Sequence, residues 1–258
     1  MLNAADAIYN DFYARRYDQL FHDSPNGQAR FRFEIAEIRR RMQPRGEGER
    51  IRLLDLGCGT GRHCAVFSTE AATTGVDVSS SMLEVARRSS PLTTFIQGDM
   101  RDRALFAEDS FNYVLSLYGA VHYNRELDTI LGNIACWLRR GGFACLGILD
   151  PARLCAATSP ESRQIGEQMV TAYPDCEYRS RWERHDDDRV SYHEIFLLFP
   201  WLETVERHHE FYMPEVAVLV AAAEQNGLVE TERVSLAPVD CDDELLVFVR
   251  TRDRVQSK

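Results

Sequence analysis

Three glycines alternate with other residues directly after an apolar segment, in Leu53-Leu54-Asp55-Leu56-Gly57-Cys58-Gly59-Thr60-Gly61. Glycine adopts backbone angles that other residues avoid, and its missing side chain lets a ligand lie directly against the backbone. The apolar segment is typical of a buried strand, so the pattern predicts a strand that turns sharply into a helix at a binding site. The spacing differs from the G-x-G-x-x-G of dinucleotide-binding proteins.

Two acidic residues follow at the ends of the next apolar segments, in Gly75-Val76-Asp77 and Gly98-Asp99-Met100. Asp77 lies about 20 residues after the glycines, where a carboxylate accepts hydrogen bonds from ribose hydroxyls in nucleotide-binding folds. Because parallel strands end at the same edge of a sheet, we expect the glycine turn, Asp77 and Asp99 to lie side by side. The sequence therefore predicts one ligand site at this edge.

Segments typical of strands alternate with segments typical of helices over most of the chain. The strand candidates cover 51–56, 74–78, 95–98, 113–117, 143–149, 228–234 and 245–250. Helices are predicted from about Ser80, with Ser81 and Glu84 in capping-box spacing, over about 126–138, and between Pro214 and Gly227. The alternation predicts an α/β, Rossmann-like, doubly wound sheet of seven mostly parallel strands.

The alternation changes character after Pro151. An irregular helical stretch is expected to about Tyr173, and three segments then have the pattern of antiparallel strands, at 177–184, 190–199 and 205–212. We therefore predict a single domain, 1–258, in four parts. These are N-terminal helices in 1–48, a core in 49–151, an antiparallel β insertion in 152–212, and a last helix with two strands in 213–258.

Charge and composition exclude several classes of protein. With 40 acidic and 30 basic residues the formal net charge is −10, which disfavours binding to nucleic acid. The seven cysteines form no C-x-x-C pair, which indicates reduced thiols rather than disulfides or a zinc site. The N-terminal residues have no signal-peptide pattern and no segment is apolar enough to span a membrane, so we expect a cytoplasmic protein.

Seven histidines are present, and two groups of them invite a metal interpretation. His185 precedes three aspartates, and His208 and His209 are adjacent. A metal site needs several ligands that converge, whereas these residues lie in a predicted turn and on opposite faces of a predicted strand. We interpret them as solvated surface and predict no metal.

The glycine turn, Asp77, Gly98-Asp99-Met100 and Leu138-Arg139-Arg140-Gly141-Gly142 together resemble the class I methyltransferases, over about residues 9–150. The resemblance implies that S-adenosylmethionine is the cofactor. It also implies that the glycine turn holds the methionine part, Asp77 the ribose and Asp99 the adenine amino group, with Met100 against the ring. The cofactor-binding residues so implied are Tyr17, Asp55, Gly57, Cys58, Gly59, Gly61, His63, Asp77, Val78, Met82, Gly98, Asp99, Met100, Leu117 and Tyr118.

A closer resemblance is to the amino-sugar N,N-dimethyltransferases of macrolide pathways and, more loosely, to glycine N-methyltransferases. It is carried by Tyr17-Asp18, Thr60-Gly61-Arg62-His63 and Gly98-Asp99-Met100-Arg101, whereas Phe111-Asn112 and Arg140 depart from the family pattern. It implies a small-molecule acceptor, with nitrogen favoured over oxygen, and an active site roofed by the insertion and by an N-terminal helical lid. The insertion is also a candidate homodimer surface.

Three alternatives remain open at this point. The first is an O-methyltransferase that acts on a hydroxyl or carboxyl of a natural product. The second is a binding module that has kept the cofactor site and lost catalysis. A nucleotide-sugar or NAD enzyme is a weaker alternative, because the glycine spacing differs from that of dinucleotide binders.

Methyl transfer depends mainly on holding the acceptor in line with the sulfonium, and a base is needed only when the acceptor arrives protonated. The candidate catalytic residues are His122 and Tyr123, which follow the fourth predicted strand. The related sugar enzymes place a histidine that faces the acceptor within a residue of this position. Tyr9, Tyr13 and Tyr17 are spaced four apart and either cover the cofactor or simply pack against the sheet.

Overall fold

A computed structural model describes residues 8–42, 50–149, 164–186, 188–236 and 244–251. Its helices are α1 (Asp11–Ala14), α2 (Tyr17–Phe21), α3 (Pro25–Arg41), α4 (Arg62–Phe67), α5 (Ser80–Ser89), α6 (Leu127–Trp137) and α7 (Val216–Gln225). Its strands are β1 (Arg52–Leu56), β2 (Ala72–Asp77), β3 (Thr94–Gln97), β4 (Phe111–Ser116), β5 (Leu138–Ile148), β6 (Gln164–Ala172), β7 (Cys176–Arg184), β8 (Arg189–Leu198), β9 (Glu203–Tyr212), β10 (Leu228–Ser235) and β11 (Glu244–Arg250). Two short 3₁₀ segments cover Arg103–Leu105 and Ala120–Tyr123.

Seven strands form one sheet in the order β10-β11-β5-β4-β1-β2-β3. The strands β1 to β5 run parallel, and β11 is antiparallel to both β5 and β10. The predicted fold class, a mostly parallel seven-stranded sheet, is confirmed. The strand order reverses between β1 and β4, and ligands of such sheets bind where the order reverses, beyond the carboxyl ends of the strands.

The central strands are buried on both faces, as parallel strands between two layers of helices must be. Every residue of β4 is buried. Neighbouring residues of β1 belong to different apolar clusters, Leu53 with Ile38 of α3, and Leu54 with Ile134 of α6. The sheet is therefore held rigidly between two cores, and so are the loops at its carboxyl edge.

Four strands form a separate antiparallel sheet in the order β6-β7-β8-β9. Side chains alternate between its faces, so Tyr178, Phe196 and Phe211 are buried while Ile195 is exposed. The buried face packs against the N-terminal helices, where the Phe12 and Phe196 rings lie 5.3 Å apart. The predicted antiparallel insertion is confirmed as a second sheet.

Three predicted details of the secondary structure are wrong. The helical stretch expected up to Tyr173 is strand from Gln164 onwards, because β6 is held as an edge strand by pairing with β7. Helix α5 is capped by Ser79, whose side chain accepts a hydrogen bond from Met82 N, and not by Ser81. Strand β5 begins directly after α6, at Leu138, and not at residue 143 as predicted.

Some predictions fall outside the described residues. These lie in residues 1–7 and 43–49, at the two ends of the predicted N-terminal helical part, and in residues 150–163, around the predicted start of the insertion. No helix in the described ranges is both long and apolar enough to cross a membrane.

Candidate active site

The glycine turn lies between β1 and α4, and all three of its glycines adopt the left-handed region of backbone space. The φ angles of Gly57, Gly59 and Gly61 are +70°, +53° and +74°, values that cost other residues about 1–2 kcal/mol each. A Cβ on Gly57 would lie 2.5 Å from Ala120 Cβ, and one on Gly61 would lie 2.9 Å from Ala86 Cβ. These two glycines therefore permit close packing of the protein against itself.

Gly59 differs from its neighbours because it faces open space. The nearest atom to a Cβ built there is Met82 Cε, at 3.8 Å. Gly59 lines a cleft at the carboxyl edge of the sheet, so a side chain at this position would project towards any ligand in the cleft. Of the three glycines, this is the one whose missing side chain leaves room for a ligand.

Asp77 closes the turn from the end of β2. Its Oδ2 accepts a hydrogen bond from Gly59 N at 2.9 Å, and its Oδ1 accepts one from Ser79 N at 2.9 Å. Burial raises the pKa of Asp77 to about 6, although the two backbone hydrogen bonds act to lower it. Each carboxylate oxygen has a second lone pair, so Asp77 retains capacity to accept hydrogen bonds from two ligand hydroxyls.

The end of β3 contributes Asp99 and Met100 to the same cleft. The Asp99 carboxylate is held by Arg101, whose Nε donates to Oδ1 at 3.0 Å and whose backbone N donates to the same oxygen at 2.9 Å. Asn133 Nδ2 donates to Met100 O at 3.0 Å and fixes the loop from the side of α6. The third predicted strand end therefore lies beside the glycine turn and Asp77.

The chain turns sharply after β4, through two successive residues of positive φ, Tyr118 at +53° and Gly119 at +69°. This conformation is unfavourable for tyrosine. The Tyr118 ring is held there by Arg30, whose guanidinium carbon lies 4.0 Å from the ring centroid, and by His22, whose ring centroid lies 4.9 Å away. The turn leads into the 3₁₀ segment that carries His122 and Tyr123.

The N-terminal segment is attached to the cleft at two points. Thr60 Oγ1 in the glycine turn donates to Asp18 Oδ1 at 2.8 Å, and Ser79 Oγ donates to the carbonyl oxygen of Tyr9 at 2.5 Å. These bonds place the rings of Tyr9 and Tyr17 in the lining of the cleft. That the N-terminal segment acts as a lid stays a prediction.

The cleft and the open solvent at its mouth together contain about 680 Å³ of space not filled by protein atoms. Eleven of the predicted cofactor-binding residues line it: Tyr17, Gly57, Gly59, Asp77, Val78, Met82, Gly98, Asp99, Met100, Leu117 and Tyr118. The lining also includes Tyr9, Val76, Ala120, Tyr123 and Asn124, of which Tyr123 was predicted as a catalytic candidate. Tyr9, Val76, Ala120 and Asn124 were not among the predicted site residues, and Ala120 and Asn124 flank the predicted candidates His122 and Tyr123 in the segment after β4.

Four predicted cofactor-binding residues do not line the cleft. Asp55 is buried and accepts a hydrogen bond from Cys64 Sγ at 3.4 Å. Cys58 and Gly61 lie in the turn but their side-chain positions face the protein, since Cys58 Sγ would be 2.9 Å from a Cβ on Gly75. His63 Nε2 lies 3.1 Å from Glu34 Oε2, which is buried in α3. These residues shape the turn from behind.

The prediction that His122 faces the acceptor is wrong. The His122 ring is fully buried and outside the cleft lining. Its Nδ1 lies 2.8 Å from the carbonyl oxygen of Tyr212, and its Nε2 accepts a hydrogen bond from Leu149 N at 3.2 Å. His122 thus ties the end of β9 to the end of β5, and the 3₁₀ turn directs the next residue, Tyr123, into the cleft instead.

Tyr123 connects the cleft to the antiparallel sheet. Its Oη lies 2.6 Å from Tyr9 Oη and 2.6 Å from His209 Nδ1, and His209 Nε2 lies 2.6 Å from Glu194 Oε2. Tyr178 Oη donates to Glu194 Oε1 at 2.6 Å. The prediction that His209 is solvated surface is wrong, because the residue is 1% exposed and lies on the inner face of β9. His208, on the opposite face, is exposed as expected.

No group of histidine, cysteine and acidic side chains with the geometry of a metal site occurs in the described part of the chain. The cleft fits the organic cofactor that the resemblance implies. It combines room against the backbone of Gly59 with a buried carboxylate, Asp77, that retains hydrogen-bond capacity. Gly59 and Asp77 would hold the methionine and ribose parts of S-adenosylmethionine; which residues bind it stays a prediction.

Residues 53–142 match the family described as "Methyltransferase domain". Over 139 residues the chain is 34% identical to a dTDP-3-amino-3,4,6-trideoxy-alpha-D-glucopyranose N,N-dimethyltransferase of Streptomyces venezuelae, covering 52% of this chain and 56% of that protein. The chain thus spans about half the length of the curated relatives it matches.

Two solved structures extend the similarity to almost the whole chain. The crystal structure of Streptomyces venezuelae DesVI aligns with a TM-score of 0.70 and 25% identity, over 93% of this chain and 98% of that chain. The S-adenosylmethionine-bound structure of CalS10, an amino pentose methyltransferase from Micromonospora echinaspora, aligns with a TM-score of 0.66 and 20% identity, over 94% of this chain and 98% of that chain, and shows the shared fold. The predicted resemblance is confirmed: residues 53–142 match a methyltransferase domain, and the chain has the fold of S-adenosylmethionine-dependent methyltransferases, which supports S-adenosylmethionine as the cofactor.

Proposed function

We propose that this protein transfers the methyl group of S-adenosylmethionine to an amine nitrogen of a small molecule, with an amino sugar as the favoured acceptor. The lining of the cleft is the observation that carries this proposal. Beside the residues assigned to the cofactor, the lining contains the phenols of Tyr9 and Tyr123, whose hydroxyls lie 2.6 Å apart. Aromatic rings attract cations and phenol oxygens accept hydrogen bonds from N–H groups, so this part of the lining suits an amine better than a carboxylate or phenolate acceptor.

When bound, S-adenosylmethionine supplies an electrophilic methyl group on a positively charged sulfur. The protein's own residues bind the cofactor and orient the acceptor. Asp77 and the backbone at Gly59 fix one part of the cleft, and the hydroxyl oxygens of Tyr9 and Tyr123 can accept hydrogen bonds from an acceptor N–H. Positioning of this kind supplies most of the acceleration of such a displacement, provided that the nitrogen carries a free electron pair.

The relatives support the amino-sugar class. The Streptomyces venezuelae protein is named for an amino sugar attached to dTDP, and two further relatives that are 30% and 29% identical are named for other dTDP-linked amino sugars. All three are N,N-dimethyltransferases. We therefore propose nucleotide-linked amino sugars as the first acceptors to test.

A matched-pair assay tests the proposal. Purified protein and methyl-labelled S-adenosylmethionine are incubated with pairs of acceptors that differ only in one group, an amino sugar and its hydroxy counterpart, and an amino acid and its hydroxy acid. Mass spectrometry then locates the label. We expect transfer to the amino member of a pair and none to its hydroxy counterpart.

Each alternative has its own outcome in this assay. Label on the hydroxy members alone would replace the proposal with an O-methyltransferase. Tight binding of S-adenosylmethionine, measured by calorimetry, without transfer to any acceptor would indicate a binding module. Preference for NAD over S-adenosylmethionine would contradict the cofactor as well.

We propose the cytoplasm as the compartment, because the five described cysteines are free thiols, as expected in a reducing environment. Assembly into a homodimer through the insertion stays a prediction. The turn between β8 and β9 supports it, since Trp201 and Leu202 are 81% and 64% exposed there.

A further inference from the structure

The hydrogen bonds that join Tyr9, Tyr123, His209 and Glu194 form a continuous chain from the cleft into the antiparallel sheet. Tyr9 and Tyr123 line the cleft, whereas His209 and Glu194 are 1% and 0% exposed. Each of the three bonds is 2.6 Å long. The chain therefore connects the acceptor's surroundings to a buried imidazole–carboxylate pair.

The partners fix the direction of these bonds when Glu194 is ionised. A carboxylate only accepts, so His209 donates its Nε2 proton to Glu194. The Nδ1 of the neutral ring is then an acceptor, which requires Tyr123 to donate to it and Tyr9 to donate to Tyr123. The Tyr9 oxygen is left with electron pairs that can accept a hydrogen bond from an N–H group in the cleft.

Neither phenol is suited to hold a negative charge. Burial raises the pKa of Tyr9 and of Tyr123 well above its ordinary value, and the nearby Glu194 carboxylate raises both further. Tyr9 can therefore take up a proton from a ligand only while it passes its own hydroxyl proton on to Tyr123, since neither tyrosine is stable as a phenolate here. The end of the chain, His209 beside Glu194, is the place where it can stay.

The other titratable groups that face the pair are phenols. Tyr13 comes from α1, Tyr178 from β7 and Tyr192 from β8, and Tyr178 Oη lies 2.5 Å from Tyr192 Oη. Arg207, on the same face of β9, is turned towards Asn10 and Phe12. Within the described residues, His209 is the only ionisable base in contact with Glu194. Protonation of His209 therefore gives the buried Glu194 carboxylate a positively charged partner.

We propose that His209 and Glu194 take up, through Tyr123 and Tyr9, the proton that the acceptor nitrogen releases. This inference rests on the proposed function. The N–H bond of the acceptor breaks and its electron pair stays on nitrogen, while the proton passes to Tyr9 Oη. The Tyr9 proton passes to Tyr123, and the Tyr123 proton passes to His209 Nδ1, so the two hydrogen bonds between Tyr9, Tyr123 and His209 reverse while His209 Nε2 still donates to Glu194. The proton returns to solvent by the same path after product release.

The relay gives repeated methylation a physical basis. A methylated amine is a cation until it loses a proton, and it cannot accept a second methyl group before that. A proton acceptor connected to the cleft permits this loss while the acceptor stays bound. His209 and Glu194 are positioning residues in this scheme, since they act through the two tyrosines.

Four variants test the relay on a wild-type protein that methylates an amine. Glu194→Gln keeps the size and one hydrogen bond of the side chain but removes its charge, and His209→Gln removes the proton-accepting ring. Tyr123→Phe interrupts the chain. Tyr192→Phe is the matched control, because it removes a buried phenol hydroxyl from the same sheet without interrupting the chain.

We expect His209→Gln and Tyr123→Phe to lower kcat by about 100-fold, the usual size of an acid–base contribution, and to remove an ionisation from the acid limb of the kcat–pH profile. In Glu194→Gln the acid limb should move to lower pH, because the imidazolium loses the carboxylate that stabilises it. The affinity for S-adenosylmethionine, measured by calorimetry, should be unchanged in all four variants, and Tyr192→Phe should retain the wild-type profile.

A second measurement needs no turnover. In the ¹⁵N spectrum of histidine-labelled protein, with the His209 signals assigned from His209→Gln, we expect the neutral ring to carry its proton on Nε2. The relay is overturned if that proton is on Nδ1, or if kcat and the pH profile of the three relay variants match those of Tyr192→Phe. A wild-type protein that methylates no amine overturns the proposed function itself, which distinguishes the two failures.

Discussion

The seven-stranded sheet and the four-stranded sheet both contribute to the cleft, and they do so in different ways. The first contributes strand ends, where the Asp77 carboxylate accepts hydrogen bonds from the backbone N–H groups of Gly59 and Ser79. The second contributes the face of its strands, and His209 reaches the cleft only through the hydroxyl of Tyr123. The cofactor side is therefore determined by short local segments, and the acceptor side by packing between distant parts of the chain.

The largest effect should come from the cofactor side. Gly59→Val places a side chain in the space against the backbone, so we expect the affinity for S-adenosylmethionine to fall by about 100-fold or more, equivalent to roughly 2.7 kcal/mol. Calorimetry on the folded variant measures this. Gly141→Val is the control, because Gly141 has a similar φ of +67° outside the cleft lining and tests the cost of backbone strain alone. Equal affinity in Gly59→Val and wild type would remove the assignment of the cleft.

Asp77→Ala should weaken the binding of S-adenosylmethionine and of its demethylated product alike, by about 1–3 kcal/mol, because both carry the ribose. The pH dependence of this binding should also disappear in the variant. Ribose hydroxyls donate to the ionised carboxylate, and the pKa of Asp77 is raised to about 6, so wild-type affinity should fall as the pH is lowered through 6. Calorimetric titrations at several pH values check both statements, and a variant with the wild-type pH dependence would contradict them.

His122 should contribute to stability and not to catalysis on either side of the cleft. Its ring links two backbone groups and does not line the cleft, so His122→Ala should lower the free energy of unfolding by about 1–3 kcal/mol, the cost of leaving buried polar groups without partners. The pH profile of kcat should stay that of the wild type. Chemical denaturation and a pH series measure the two quantities. Loss of an ionisation from the profile in this variant would return His122 to the catalytic role.

The smallest effect should come from the attachment of the N-terminal segment. Ser79 both caps α5 and donates to the carbonyl of Tyr9, so Ser79→Ala should lower the free energy of unfolding by about 1 kcal/mol and weaken cofactor binding slightly. Ser24→Ala is the matched control, since Ser24 caps α3 by accepting from Gly27 N at 3.0 Å. The control should lose the same stability and keep its cofactor affinity. An equal change of affinity in both variants would show that the hydrogen bond from Ser79 to Tyr9 does not affect cofactor binding.

The sequence predicts the parallel sheet and the cofactor side well because their signals are local. The glycine turn, Asp77 and Asp99 each follow an apolar strand, and strand topology alone brings them together. The same locality explains the misplaced cap of α5, since Ser79 and Ser81 are equally good caps by residue type and tertiary contacts decide between them.

The residues on the acceptor side could not be predicted from such local signals. Glu194 and His209 are polar residues in strands, and polar residues in strands usually face water. Their burial depends on contact with α1 and with the 3₁₀ segment, whose Tyr123 is 86 residues from His209, and no local pattern connects these elements to them. One signal was present: on β9, His209 shares a face with Phe211, and on β8, Glu194 shares one with Tyr192 and Phe196, so alternation marked both as inward-facing.

Steady-state kinetics of Asp77→Ala and Tyr123→Phe, side by side, test most directly that one cleft has a cofactor side and an acceptor side. Asp77→Ala should raise the KM for S-adenosylmethionine about 10-fold or more, in line with its lost hydrogen bonds, and leave kcat close to that of the wild type at saturation. Tyr123→Phe should lower kcat and leave the KM for S-adenosylmethionine unchanged. If both variants changed the same parameter to the same extent, the division of the cleft between the two sheets would be contradicted.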